Sequence, residues 1–125
     1  RAGLTPHQQK ELDMIFSSQP DSALLHGDCV GADAEAHAIA LKHGRSIFIH
    51  PGPDKQRAFC KGAVRVSEPQ PYLKRNHTIV DQCDELIACP RTHKEELRSG
   101  TWATIRYAHK SGKLLNIIWP TPKQI

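Results

Sequence analysis

Apolar residues alternate along this chain between helical spacing and short continuous runs, a pattern that predicts helices interleaved with buried strands. Leu12, Ile15 and Phe16 share one face of a helix predicted over residues 6–17. Thr5-Pro6-His7-Gln8 opens it as a capping box with proline at the first helical position, and Gln19-Pro20-Asp21 ends it. The run 23–26 is too short for a helix and reads as a strand, followed by a tight loop over 27–33. Ala36, Ile39 and Ala40 give the next helix, 34–43, a narrow stripe of small residues suited to close packing, and Gly44 stops it. A strand over 46–50 leads into a long loop, 51–71, punctuated by Pro51, Pro53, Pro69 and Pro71. Then come a helix over 72–83 carrying Leu73, Ile79 and Val80, a strand over 85–89 ended by Pro90, a polar loop to Ser99, a helix from Gly100-Thr101 through Lys110, and an apolar β-rich run over 114–119.

Helices alternating with near-continuous apolar strands predict an α/β fold with a mostly parallel sheet and helices on both faces. Arg1-Ala2-Gly3 looks like the loop after a first strand, so a further, central strand before Arg1 is expected. At 125 residues the chain reads as one domain, 1–125. No window approaches the roughly 18 apolar residues of a membrane helix, so no membrane association is expected. Cys29, Cys60, Cys83 and Cys89 show neither paired spacing nor a secretory context, which predicts reduced thiols in a cytoplasmic protein. His26, Cys29, Cys83, Cys89 and His93 match no zinc spacing, and no metal is expected. The net charge of +4 is scattered; it tolerates an anionic ligand without requiring nucleic acid.

In open parallel sheets, ligands bind beyond the carboxyl ends of the strands. Three loops there are candidates. His26-Gly27-Asp28-Cys29-Val30-Gly31-Ala32-Asp33 offers Gly27 and Gly31 for close backbone approach, and Asp28 and Asp33 for ribose hydroxyls or a water. Arg98-Ser99-Gly100-Thr101 puts amides, hydroxyls and a guanidinium at a helix start, where phosphate binds well. Arg1 and Gly3 would join from the first loop. Each has a plainer reading: the glycines only turn the chain, and Asp33, Ser99 or Thr101 only cap a helix. Asp81 and Asp84 read as solvated charges, Trp102 and Trp119 as packing residues, and His37, His43 and His109 as surface residues. Lys55, Arg57, Lys61 and Arg65 make the 51–71 loop a candidate lid over ligand.

The segments Leu25-His26-Gly27-Asp28-Cys29-Val30-Gly31-Ala32-Asp33, Arg75-Asn76, Asp84-Glu85-Leu86-Ile87-Ala88-Cys89-Pro90, Ser99-Gly100-Thr101 and Ala108…Gly112-Lys113 resemble, in order, the motifs of the SLOG superfamily. This group of Rossmann-like nucleotide-binding domains includes the Lonely-guy phosphoribohydrolases and DNA-processing protein A. The resemblance runs from Arg1 to Trp119. It implies a three-layer Rossmann-like fold and a nucleotide or nucleotide-derived ligand, with no separate cofactor. Phosphate would lie at Ser99-Gly100-Thr101, sugar near the loop 27–33, and Arg75 with Asn76 at phosphate or ribose. It also implies pairing as a homodimer through helices flanking the site.

The Lonely-guy hydrolases carry a proline-glycine-glycine run before the Gly-Thr and a glutamate three residues after the threonine. Here residues 91–98 replace that run, and Thr104 stands at the glutamate position. Cleaving an N-glycosidic bond requires a carboxylate beside the developing oxocarbenium charge, which Asp28, Asp33 or Glu96 would have to supply. The leading expectation is a nucleotide-binding sensor, carrier or weak processing protein. An N-glycosidic hydrolase or transferase acting on nucleotides comes second. A single-stranded nucleic-acid binder comes third, as no basic stripe or aromatic cluster marks one.

Overall fold

The structure is a computed structural model and describes residues 3–122. Helix α1, Pro6–Ser18, begins with the expected capping box: the Gln8 amide donates to Thr5 Oγ1 at 3.1 Å, and Thr5 N donates to Gln8 Oε1 at 3.0 Å. Gln8 does more than cap. Its buried Nε2 donates to Pro90 O at 2.8 Å and Ile118 O at 2.9 Å, tying α1 to the chain just beyond two strands.

Strands β1 (Ala23–His26) and β2 (Ser46–Ile49) pair in parallel. Within the predicted 51–71 loop, a two-residue strand β3 (Arg65–Val66) adds to β2, also parallel, and a short 3-10 turn forms at Asp54–Gln56. Two residues are too short for a periodic signal, which is why the sequence reads as a loop there. Strands β4 (Glu85–Ala88) and β5 (Leu114–Ile117) form a second parallel ladder. The predicted sheet is thus present as two hydrogen-bonded ladders, β1-β2-β3 and β4-β5. Arg1 and its predicted preceding strand lie outside the described residues.

Helix α2 (Ala32–Lys42) packs on α1, while α3 (Tyr72–Gln82) packs on α4 (Gly100–Lys110). The strand pleat separates these pairs onto two faces. Ile47, Ile49 and, from β4, Ile87 pack with Leu12, Phe16 and Ala40; the alternate β4 residues Leu86 and Ala88 pack with Val80, Ala108, Trp102 and Ile105. Ala40 is fully buried because its methyl lets α2 approach the sheet, as its small-residue stripe predicts. Trp102 is a core residue. No helix is long and apolar enough to cross a membrane among the described residues.

Within each ladder the described strands run parallel, and Arg75 near the start of α3 donates to Gly27 O after β1 and to His50 O after β2, while the Asp33 charge reaches Cys89 just after β4, so the carboxyl ends of these three strands lie close together.

Candidate functional site

The turn after β1 is built around two carboxylates. Asp33 Oδ2 accepts from the amides of Gly27 at 3.2 Å and Cys29 at 3.1 Å, so it staples the loop. Gly31, at φ 94, turns the chain into α2, which starts two residues before the predicted position. Asp28, at φ 61, is fully buried. Its carboxylate accepts from Arg57 Nε at 2.9 Å and from the Cys60 amide at 2.9 Å, and its carbonyl accepts from the Ala58 amide at 2.7 Å. Burial pushes the Asp28 pKa upward, but the Cys60 amide and Arg57 outweigh that and hold it below the ordinary carboxylate value. Of the basic residues in the 51–71 segment, Arg57 is thereby engaged, while Lys55, Lys61 and Arg65 are exposed.

Below this loop runs a buried chain of hydrogen bonds. The Asp28 amide donates to His26 Nδ1 at 2.9 Å; His26 Nε2 meets His37 Nδ1 at 2.8 Å; His37 Nε2 meets Lys61 O at 2.7 Å. The chain is satisfied when both rings are neutral and protonated on Nε2. His37 is therefore a buried connector between α2 and the 51–71 segment, a correction to its reading as a surface residue. The sequence does not reveal it, because its partner arrives from Lys61, 24 residues away. Cys60 lies close enough for His26, His37 and Cys60 to offer a metal three ligand atoms within 4.8 Å of one another. The residues fit a metal poorly. Ligation through His26 Nε2 would put a proton on Nδ1, facing the Asp28 N–H, and the Cys60 thiol is pushed up to about 12 by burial and the Asp28 carboxylate.

Burial lowers the His26 pKa below its ordinary value, with the His37 and Arg75 charges opposing protonation too, although Asp33 and Asp28 pull the other way. Protons then bind the unfolded chain more readily than the folded one. The stability this group contributes is whole above the unfolded pKa, about 6.5, and declines as pH falls from there toward the lower folded value. The urea midpoint is expected to fall between about pH 6.5 and 5. His37→Phe, which cannot accept from a neutral His26, should lower the midpoint at neutral pH.

Arg75, in the first turn of α3, is 5% exposed. Its Nη1 donates to Gly27 O at 2.7 Å and to His50 O at 3.4 Å, its Nε to Asn76 Oδ1 at 2.7 Å, and its Nη2 lies 3.5 Å from Cys29 Sγ. Gly27 makes this possible: a Cβ there would sit 2.3 Å from Nη1. Every acceptor is uncharged, and no carboxylate pairs with Arg75 among the described residues.

At the start of α4, Ser99 Oγ accepts from the Trp102 amide at 3.3 Å. The first amides, of Gly100 and Thr101, precede any intrahelical acceptor. Gly100 has open space where a Cβ would stand, and Arg98 is exposed. Thr104 bonds back to Gly100 O at 2.9 Å. The 91–98 segment is held by Arg91–Glu96 at 3.2 Å and by Glu95–Arg106, and Glu96 also accepts from Thr92. The Trp102 indole N–H is buried without a partner.

Hydrogen bonds therefore join Gly27, Asp33, Arg75 and Asn76 into one network, with Asp28 and Gly31 on the same loop, while Ser99, Gly100 and Thr101 lie at the start of α4, after β4. Gly3 lies against Glu35 in the first turn of α2, and Glu35 accepts from the Leu4 amide at 3.0 Å. A cleft of about 360 Å³ between α1 and β5, lined by His7, Glu11, Ile15, Asn116 and Trp119 among others, contains none of these residues.

The chain is similar to the X-ray structure of DNA processing protein A (DprA) from Streptococcus pneumoniae, with TM-score 0.66 and 20% identity over 99% of this chain and 50% of that one. It thus spans half the length of that protein. No family model and no curated protein matches it. The alternating helices, parallel strands and two-faced packing, with that likeness over nearly the whole chain, give this protein a Rossmann-like α/β fold of the kind seen in DNA processing protein A.

Proposed function

We propose that this domain binds a nucleotide or nucleotide-derived ligand across the carboxyl ends of β1, β2 and β4. The phosphate would take the Gly100 and Thr101 amides with Ser99 and Arg98, and the sugar would lie along residues 27–33. The observation that carries this reading is Arg75. A guanidinium so deeply buried normally faces a carboxylate, and here it meets neutral acceptors and the Tyr72 ring, 5.6 Å from its centroid, but no carboxylate, at the edge where ligands of such sheets bind. An anion nearby supplies the missing charge.

Binding without turnover is the favoured form. Each carboxylate available for N-glycosidic chemistry is already engaged: Asp28 by Arg57, Asp33 by two amides, Glu96 by Arg91 and Thr92. Calorimetry against nucleoside mono-, di- and triphosphates, ADP-ribose and short single-stranded DNA tests this, with chromatography for released base. Saturable nucleotide binding without free base supports a sensor or carrier. Released base would establish the hydrolase instead. Binding to DNA alone, weakening steeply with salt, would replace both with the nucleic-acid reading.

A further inference from the structure

Asp28 and Phe59 are the two non-glycine residues with positive φ among the described residues, and they belong to one clamp. Phe59 has φ 54, a conformation in which a bulky side chain is a genuine outlier. Its neighbours impose it: the Ala58 amide is held by Asp28 O, the Cys60 amide and Arg57 Nε by the Asp28 carboxylate, and Arg57 forms an antiparallel bridge with Cys29. This strain is not repaid by burial of the ring, which is 54% exposed. The Arg57 guanidinium, fixed by Asp28, lies 4.3 Å from the ring centroid and covers one face. Backbone strain held in place by surrounding structure clusters at active sites, ligand clamps and switch regions.

We propose that Phe59 is the platform on which the planar base of the ligand stacks. The inference rests on the nucleotide reading above and gives it a base subsite on the segment clamped to the sugar loop. A cation against one face draws π density from the ring, which favours an electron-rich purine on the other. Asp28 thus organises both halves of the site: its backbone shapes the sugar loop, and its carboxylate holds the stacking segment.

Calorimetric titration with adenosine monophosphate and with ribose 5-phosphate tests the proposal. The wild-type protein should bind the nucleotide about tenfold more tightly than the sugar phosphate, in line with base–aromatic stacking. Phe59→Gly, whose backbone suits positive φ, should keep or raise Tm, lose that tenfold and leave ribose 5-phosphate affinity unchanged. Phe59→Asn, also tolerant of this φ, should do the same, and Phe59→Tyr should stay within about twofold of wild type by keeping the stacked ring. Equal wild-type affinity for the two ligands, or undiminished discrimination in both ring-less variants, overturns the platform and leaves the nucleotide reading standing. Binding of neither ligand overturns both.

Discussion

Arg75→Met should lower nucleotide affinity by about two orders of magnitude, because charge-assisted hydrogen bonds to an anion contribute roughly 1.5–3 kcal/mol each. The same change should cost about 2 kcal/mol of stability through the orphaned Gly27 carbonyl and Asn76 side chain, partly offset by removal of a buried cation without a counter-charge. Arg75→Lys keeps charge but cannot reach Gly27 O and Asn76 Oδ1 together, so it should recover only part of the affinity. Thermal unfolding with and without nucleotide separates the two effects. Ligand raises the wild-type Tm by mass action and should leave that of Arg75→Met nearly unchanged. An equal ligand-induced shift in both proteins would remove Arg75 from the site.

Asp28→Ala should have the largest effect on stability, about 3–4 kcal/mol. It removes the nearer and buried one of Arg57's two carboxylate partners, leaving only the exposed Asp54 at 3.7 Å, takes the acceptor from the Cys60 amide and places alanine at φ 61. Asp28→Asn tolerates that backbone and still offers one acceptor oxygen, so its cost should be near 2 kcal/mol, mostly from loss of the buried carboxylate beside Arg57, which keeps only the exposed Asp54. Urea denaturation measures both, and limited proteolysis should show new cleavage between residues 56 and 61. Because the folded Asp28 pKa lies below its ordinary value, the clamp's contribution is complete above the unfolded carboxyl pKa, near 3.9. It is lost as pH falls from there through the folded value. Equal acid sensitivity of wild type and Asp28→Asn below pH 4 would show that Asp28 is not the group responsible.

The elements were legible because local signals agreed with tertiary packing. The Thr5–Gln8 box, the Ala36/Ile39/Ala40 stripe and the apolar runs each predict what the fold contains. What escaped depends on distant partners. Strand β3 exists because Arg65–Val66 falls beside β2, and His37 is buried because Lys61 O and His26 converge on its ring. The site residues were legible as chemistry but not as geometry. Asp28 reads in the sequence as a free carboxylate for sugar, whereas in the fold Arg57 and Cys60, 29 and 32 residues away, occupy its oxygens. Phe59 carries no sequence signal at all, since its left-handed backbone follows from the clamp and not from its own residue type.

The proposed nucleotide site lies at the carboxyl edge, between Arg75 and the start of α4. Two-dimensional ¹⁵N–¹H spectra recorded during titration with adenosine monophosphate locate the bound ligand residue by residue. Progressive, saturable shifts are expected for the Gly100 and Thr101 amides, the Arg75 Nε–H and the amides of residues 27–33. Shifts confined to the cleft between α1 and β5, around His7 and Trp119, or no shifts at all, would contradict that placement.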